Sequence, residues 1–129
     1  MLKRKLGIGL LLAVALSLFA SQAFAGVVYF DVVVPRLGGS ANTNTTTKTY
    51  IQQEWAVSSL AVGNGYTMYF RPYNGSTGAA GNSYSGTTGS VIIAPYTSTQ
   101  PIGSLMYLKI TNKVTTTVNV EVSGTFNAN

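Results

Sequence analysis

The stretch "VVYFDVVVP", residues 27–35, alternates by twos: Val28, Phe30, Val32 and Val34 fall on one side and Asp31 on the other. A two-residue period turns one face of a strand inward and leaves the other in water. Pro35 ends the strand, because proline has no N–H to give to a sheet ladder. The far end of the chain repeats the pattern. In "TTTVNVEVSGTF" (115–126), Val118, Val120, Val122, Gly124 and Phe126 alternate with Thr117, Asn119, Glu121 and Ser123. Both ends are therefore expected to be integral to the sheets.

The interior carries shorter blocks of the same kind. "SLMYLKI" (104–110) places Met106, Leu108 and Ile110 inward and Lys109 outward, and Asn112-Lys113 turns the chain onward. Tyr66, Met68 and Phe70 share a face opposite Thr67, Tyr69 and Arg71, while "VIIAP" (91–95) is a compact strand stopped by proline. Residues 46–60 have no single phase, since Tyr50, Ile51, Trp55 and Val57 differ in parity, and read as one bent or two short strands. Gly63-Asn64-Gly65 favours positive φ and predicts a tight hairpin. The glycine-rich segment 73–90 is expected to be the least structured. Six or seven strands, regular turn signals and no helical periodicity predict an all-β fold, an antiparallel β-sandwich or small barrel.

Upstream of the first strand the chain reads differently. Lys3, Arg4 and Lys5 precede an apolar run from Leu6 to Ala20, and Ala23-Phe24-Ala25 follows. That is the pattern of a secretory signal, with the cut expected between Ala25 and Gly26. A spanning helix needs roughly 20 apolar residues, and Ser17, Ser21 and Gln22 break this run first. The expectation is a signal peptide over 1–25 and a single β-domain over 26–129, extracellular and without a membrane span once processed.

Most of the net charge of +5 leaves with that segment. From Gly26 onward Arg36, Lys48, Arg71, Lys109 and Lys113 stand against Asp31, Glu54 and Glu121, a net of +2. Cations so scattered in sequence do not make a nucleic-acid site. Gly, Ser, Thr and Asn supply nearly half of these residues, but the apolar remainder is gathered in blocks rich in Val, Ile, Tyr and Phe, which suit strands.

The residue inventory limits chemistry. His and Cys are absent, so the usual nucleophile–imidazole pairing and zinc ligand sets are unavailable and no metal or cofactor is expected. Asp31 and Glu121 would meet only if the first and last strands were neighbours, and the plain reading is two solvated strand residues. The chain is not expected to be an enzyme. For binding, Tyr69, Arg71 and Tyr73 are the candidate platform, with Tyr84 also expected on an outer face or loop. Trp55 is expected in the core.

The combination of "DVVVP" (31–35), "TTKTYIQQEWAV" (46–57) and "LKITNKVTTTVNVEVSGTF" (108–126) behind a signal resembles small secreted β-rich proteins of Gram-positive bacteria, an uncharacterised group. The resemblance implies an extracellular protein with no assigned catalytic residues. Two roles are compatible with these readings. One is a non-enzymatic β-domain acting by contact at or outside the cell envelope, through self-association in a surface or matrix assembly or through bacteriocin-like antagonism. The other is a glycan- or cell-wall-binding module.

Overall fold

The computed structural model describes residues 26–129, so the expected signal and its cut at Ala25 lie outside the described residues. Ten strands form two antiparallel sheets: β1 (Val27–Val34), β2 (Ser40–Asn42), β3 (Thr46–Thr47), β4 (Glu54–Val62), β5 (Met68–Asn74), β6 (Gly78–Ala79), β7 (Tyr84–Gly86), β8 (Ile92–Pro95), β9 (Leu105–Asn112) and β10 (Val120–Asn127). The first sheet has the order β1-β10-β4-β8. In the second, β9 and β5 lie side by side, β2 and β3 line the outer side of β9, and β6 and β7 line the outer side of β5. The sandwich follows from the alternation. Phe30, Val34, Val57, Val122 and Phe126 from one sheet meet Met68, Phe70, Met106, Leu108 and Ile110 from the other, all buried.

Both ends of the described chain lie in the first sheet, as expected, and there they pair with each other. β1 pairs with β10 along its whole length, from Val27 opposite Asn127 to Val34 opposite Val120. The count of six or seven strands matches the longer ones, and four more are only two or three residues long. These short strands have local causes. Ala80 N–H donates to Pro72 O at 3.0 Å, so the edge of β5 at Pro72 faces outward. There Pro72 has no N–H to offer, and the neighbouring strand is interrupted between β6 and β7. Across the sheet Thr43 serves Leu108 from both ends: its N–H donates to Leu108 O at 2.9 Å, and its Oγ1 accepts from Leu108 N at 3.0 Å. A hydroxyl thus replaces one ladder carbonyl between β2 and β3.

Three expectations are corrected, and the uneven phase of residues 46–60 is explained. Asn64 and Gly65 do have positive φ, 48° and 73°, but the turn is no hairpin: it carries the chain from β4 in one sheet to β5 in the other. Residues 46–60 lose their phase for two reasons. Tyr50 and Ile51 lie in an exposed loop between β3 and β4, and β4 contains a bulge at Ser59 that moves the buried parity from Trp55 and Val57 to Leu60 and Val62. Val118 is 43% exposed, because β10 begins only at Val120. The glycine-rich segment 73–90 is ordered around its small residues. At Gly81 an added Cβ would meet Pro72 Cγ at 2.7 Å, and at Gly86 it would meet Phe70 Cε2 at 3.0 Å.

Candidate binding face

Residues of β5 with odd numbers point away from the core, so Tyr69, Arg71 and Tyr73 form one row on the outer face of the second sheet. The structure thus brings the three candidate residues together. It adds a second row that the sequence could not supply, because β9 lies beside β5. Tyr69 is opposite Thr111, Arg71 opposite Lys109, and Tyr73 opposite Tyr107. Successive rungs are two residues, about 7 Å, apart.

The rungs are locked to one another. Tyr73 and Tyr107 stack with ring centroids 5.4 Å apart and planes 16° from parallel. The Arg71 guanidinium lies 5.9 Å from the Tyr73 ring centre and Lys109 Nζ lies 5.7 Å from it, so two cations use one ring quadrupole. Like charges directly opposite on neighbouring strands repel, and the ring offsets part of that cost. Arg71 Nε donates to Gly81 O at 2.7 Å, which fixes the plane of the guanidinium. Beyond the Tyr69 rung the face runs into an open groove of about 430 Å³, lined by Tyr69, Thr111, Asn112, Lys113, Val114 and Thr115.

The other aromatic candidates fall elsewhere. Tyr84 pairs with Phe70 and takes its parity, yet at the edge of the sheet it stays 37% exposed, as open as Tyr69. Its ring packs on Trp55, centroids 5.8 Å apart and planes tilted by 59°. Trp55 is fully buried as expected, and its Nε1 has no hydrogen-bond partner.

The charges are segregated. All three carboxylates, Asp31, Glu54 and Glu121, are exposed on the outer face of the first sheet. Arg71, Lys109 and Lys113 belong to the second. Three of the five cations that look scattered in the sequence are thus gathered on one side, while Arg36 stands exposed in the turn that follows β1. Asp31 and Glu121 are on neighbouring strands after all: Asp31 is opposite Ser123 and Glu121 opposite Val33, a diagonal relation. Diagonal neighbours stand about 7–8 Å apart, and these two line an open groove of about 240 Å³ with Ala61, Val62, Gly63 and Ser123. Among the described residues no group of three or more metal-ligating side chains occurs.

The fifth cation lies in neither face. Lys48 is fully buried, close beneath the surface, in the chain between β3 and β4. Its Nζ donates to the carbonyls of Tyr50 and Gln52 and lies 5.9 Å from the Tyr96 ring centre. Burial lowers its pKa from the usual lysine value, and burial raises that of Tyr96, whose hydroxyl donates to Ala128 O at 2.6 Å. Nothing in the alternation pattern marks Lys48 as interior.

No protein-family model matches the chain, and no curated protein does. Solved structures do. The Yersinia pseudotuberculosis-derived mitogen has a TM-score of 0.52 at 12% identity, with 81% of this chain and 87% of that one covered. The N-terminal cellulose-binding domain from Cellulomonas fimi β-1,4-glucanase C has a TM-score of 0.48 at 10% identity, covering 79% and 85%. For PirA the values are 0.46 and 8%, covering 74% and 92%. At 12% identity the likeness to the mitogen is one of fold alone.

Proposed function

We propose that this protein is a non-enzymatic extracellular β-domain that acts by binding, with the outer face of the second sheet holding a glycan of the cell surface. The observation that carries the reading is the pair of adjacent rungs Tyr73–Tyr107 and Arg71–Lys109. Rings, hydroxyls and donor-rich cations stand together on a flat sheet, open to a polymer that passes through the groove beside Tyr69. Retention of the protein on immobilised peptidoglycan and common polysaccharides tests the reading. A Tyr107→Ala variant that still folds should be released earlier, and the absence of retention on every polysaccharide would sink the idea.

The opposite signs of the two outer faces favour a second reading, in which the acidic face of one copy stacks on the basic face of the next. A contact of that kind does not close on itself and builds chains. Sedimentation or size-exclusion across a concentration series at low salt decides it, because a strict monomer throughout excludes assembly.

A further inference from the structure

We infer that the glycan held on the second sheet is anionic, a polysaccharide whose sugar rings carry carboxylates, such as a polyuronate. This rests on the glycan reading above and narrows it to a chemical class.

Three features of the face point there. First, Arg71 and Lys109 stand directly opposite each other, and among the described residues no carboxylate shares their face. A pair of like charges held together without a counter-ion is completed by an anion from outside. Second, the Arg71 guanidinium is oriented. Its Nε is occupied by Gly81 O, which holds the guanidinium plane and leaves the two terminal nitrogens as a planar fork. That fork matches a carboxylate with two parallel hydrogen bonds. Third, the rings flank the cations along the strands, Tyr73 and Tyr107 on one side and Tyr69 on the other. A uronate unit offers a sugar ring and a planar carboxylate in the same residue, so it uses ring and fork at once. A phosphodiester chain of open polyols would use the cations but leave the tyrosines without a partner. Lys113, in the groove past Tyr69, supplies a further positive site for the next unit of the polymer.

The test is affinity electrophoresis and titration calorimetry of the purified protein with alginate, dextran and polyphosphate. Alginate is expected to retard the protein, with an apparent affinity that falls steeply as salt is raised, because the polyanion releases counter-ions on binding. Arg71→Gln should weaken that affinity by about tenfold or more, the usual loss for a charge-assisted hydrogen bond. Arg71→Lys keeps the charge without the fork and should fall between. Lys109→Gln removes one of the two cations without breaking a side-chain hydrogen bond and should flatten the salt dependence, with circular dichroism confirming that the variant is folded. Retention by dextran as strong as by alginate, insensitive to salt and to these variants, would overturn the anionic class yet leave a glycan-binding face. Polyphosphate bound at least as well as alginate would overturn the carboxylate assignment. Retention by none of the three would overturn the anionic class, and the glycan reading would then be decided separately by retention on peptidoglycan and the other polysaccharides.

Discussion

The ring of Phe30 lies over Gly124, its partner directly across the β1–β10 pair. A Cβ added at Gly124 would meet Phe30 Cζ at 2.9 Å, Ser58 O at 3.0 Å and Leu60 Cδ2 at 3.1 Å. The glycine therefore makes room for an aromatic ring where the two terminal strands and β4 come together. Gly124→Ala is expected to destabilise the fold by about 1–3 kcal/mol, the range for overpacking a filled core. Urea denaturation measures it. If the variant is as stable as the parent, the ring is not seated on the glycine.

Ser59 sits in the bulge opposite the same glycine, and its φ of 53° is left-handed. That conformation costs a non-glycine residue about 1–2 kcal/mol, and glycine recovers part of this against its greater freedom when unfolded. Ser59→Gly is expected to hold or raise stability by up to about 1 kcal/mol. Ser59→Val, β-branched in the same conformation, should lower it by about 1–3 kcal/mol. The reverse order in chemical denaturation would remove the bulge from the account of β4.

Lys48 gives the fold a pH dependence with a definite sign. Its pKa is lower folded than unfolded because burial disfavours the ammonium. The unfolded chain therefore binds more protons between the two values, and stability rises as pH climbs through that window toward the ordinary lysine value. Tyr96 acts the other way above about pH 10, where the unfolded phenol ionises and the buried one does not. The melting temperature should thus climb as pH approaches the ordinary lysine value from below and fall beyond it. In Lys48→Met the climb should vanish. The carbonyls of Tyr50 and Gln52 then lose a donor, a loss reduced both by water at this exposed loop and by removal of a buried charge. Equal climbs in both proteins would show that Lys48 titrates normally.

Asp31 and Glu121 sit at a spacing that paired-carboxylate hydrolases also use, but on an open sheet face. A panel of esters and glycosides is expected to show no turnover above background. Activity that disappears in Glu121→Gln would reverse the non-enzymatic reading.

Much of this molecule was legible in advance because side-chain alternation along a strand is a local property. "VVYFDVVV" and "VNVEVSGTF" announce their buried faces whatever they pair with, and the all-β class follows from enough such segments. Trp55 was recognisable as core by size alone. Where local spacing fails, the cause is a local departure from it, as at the Ser59 bulge, or a turn that joins different sheets, as at Asn64. The candidate face was half visible: one strand showed Tyr69, Arg71 and Tyr73 together. Only the tertiary structure set Tyr107 and Lys109 beside them, gathered Arg71, Lys109 and Lys113 apart from the carboxylates, turned Tyr84 onto Trp55 and closed Lys48 from water. Register is a choice among distant partners, and a slip of one residue would exchange the two faces of a strand. That choice is settled by the packing of the whole core, so no single segment carries it.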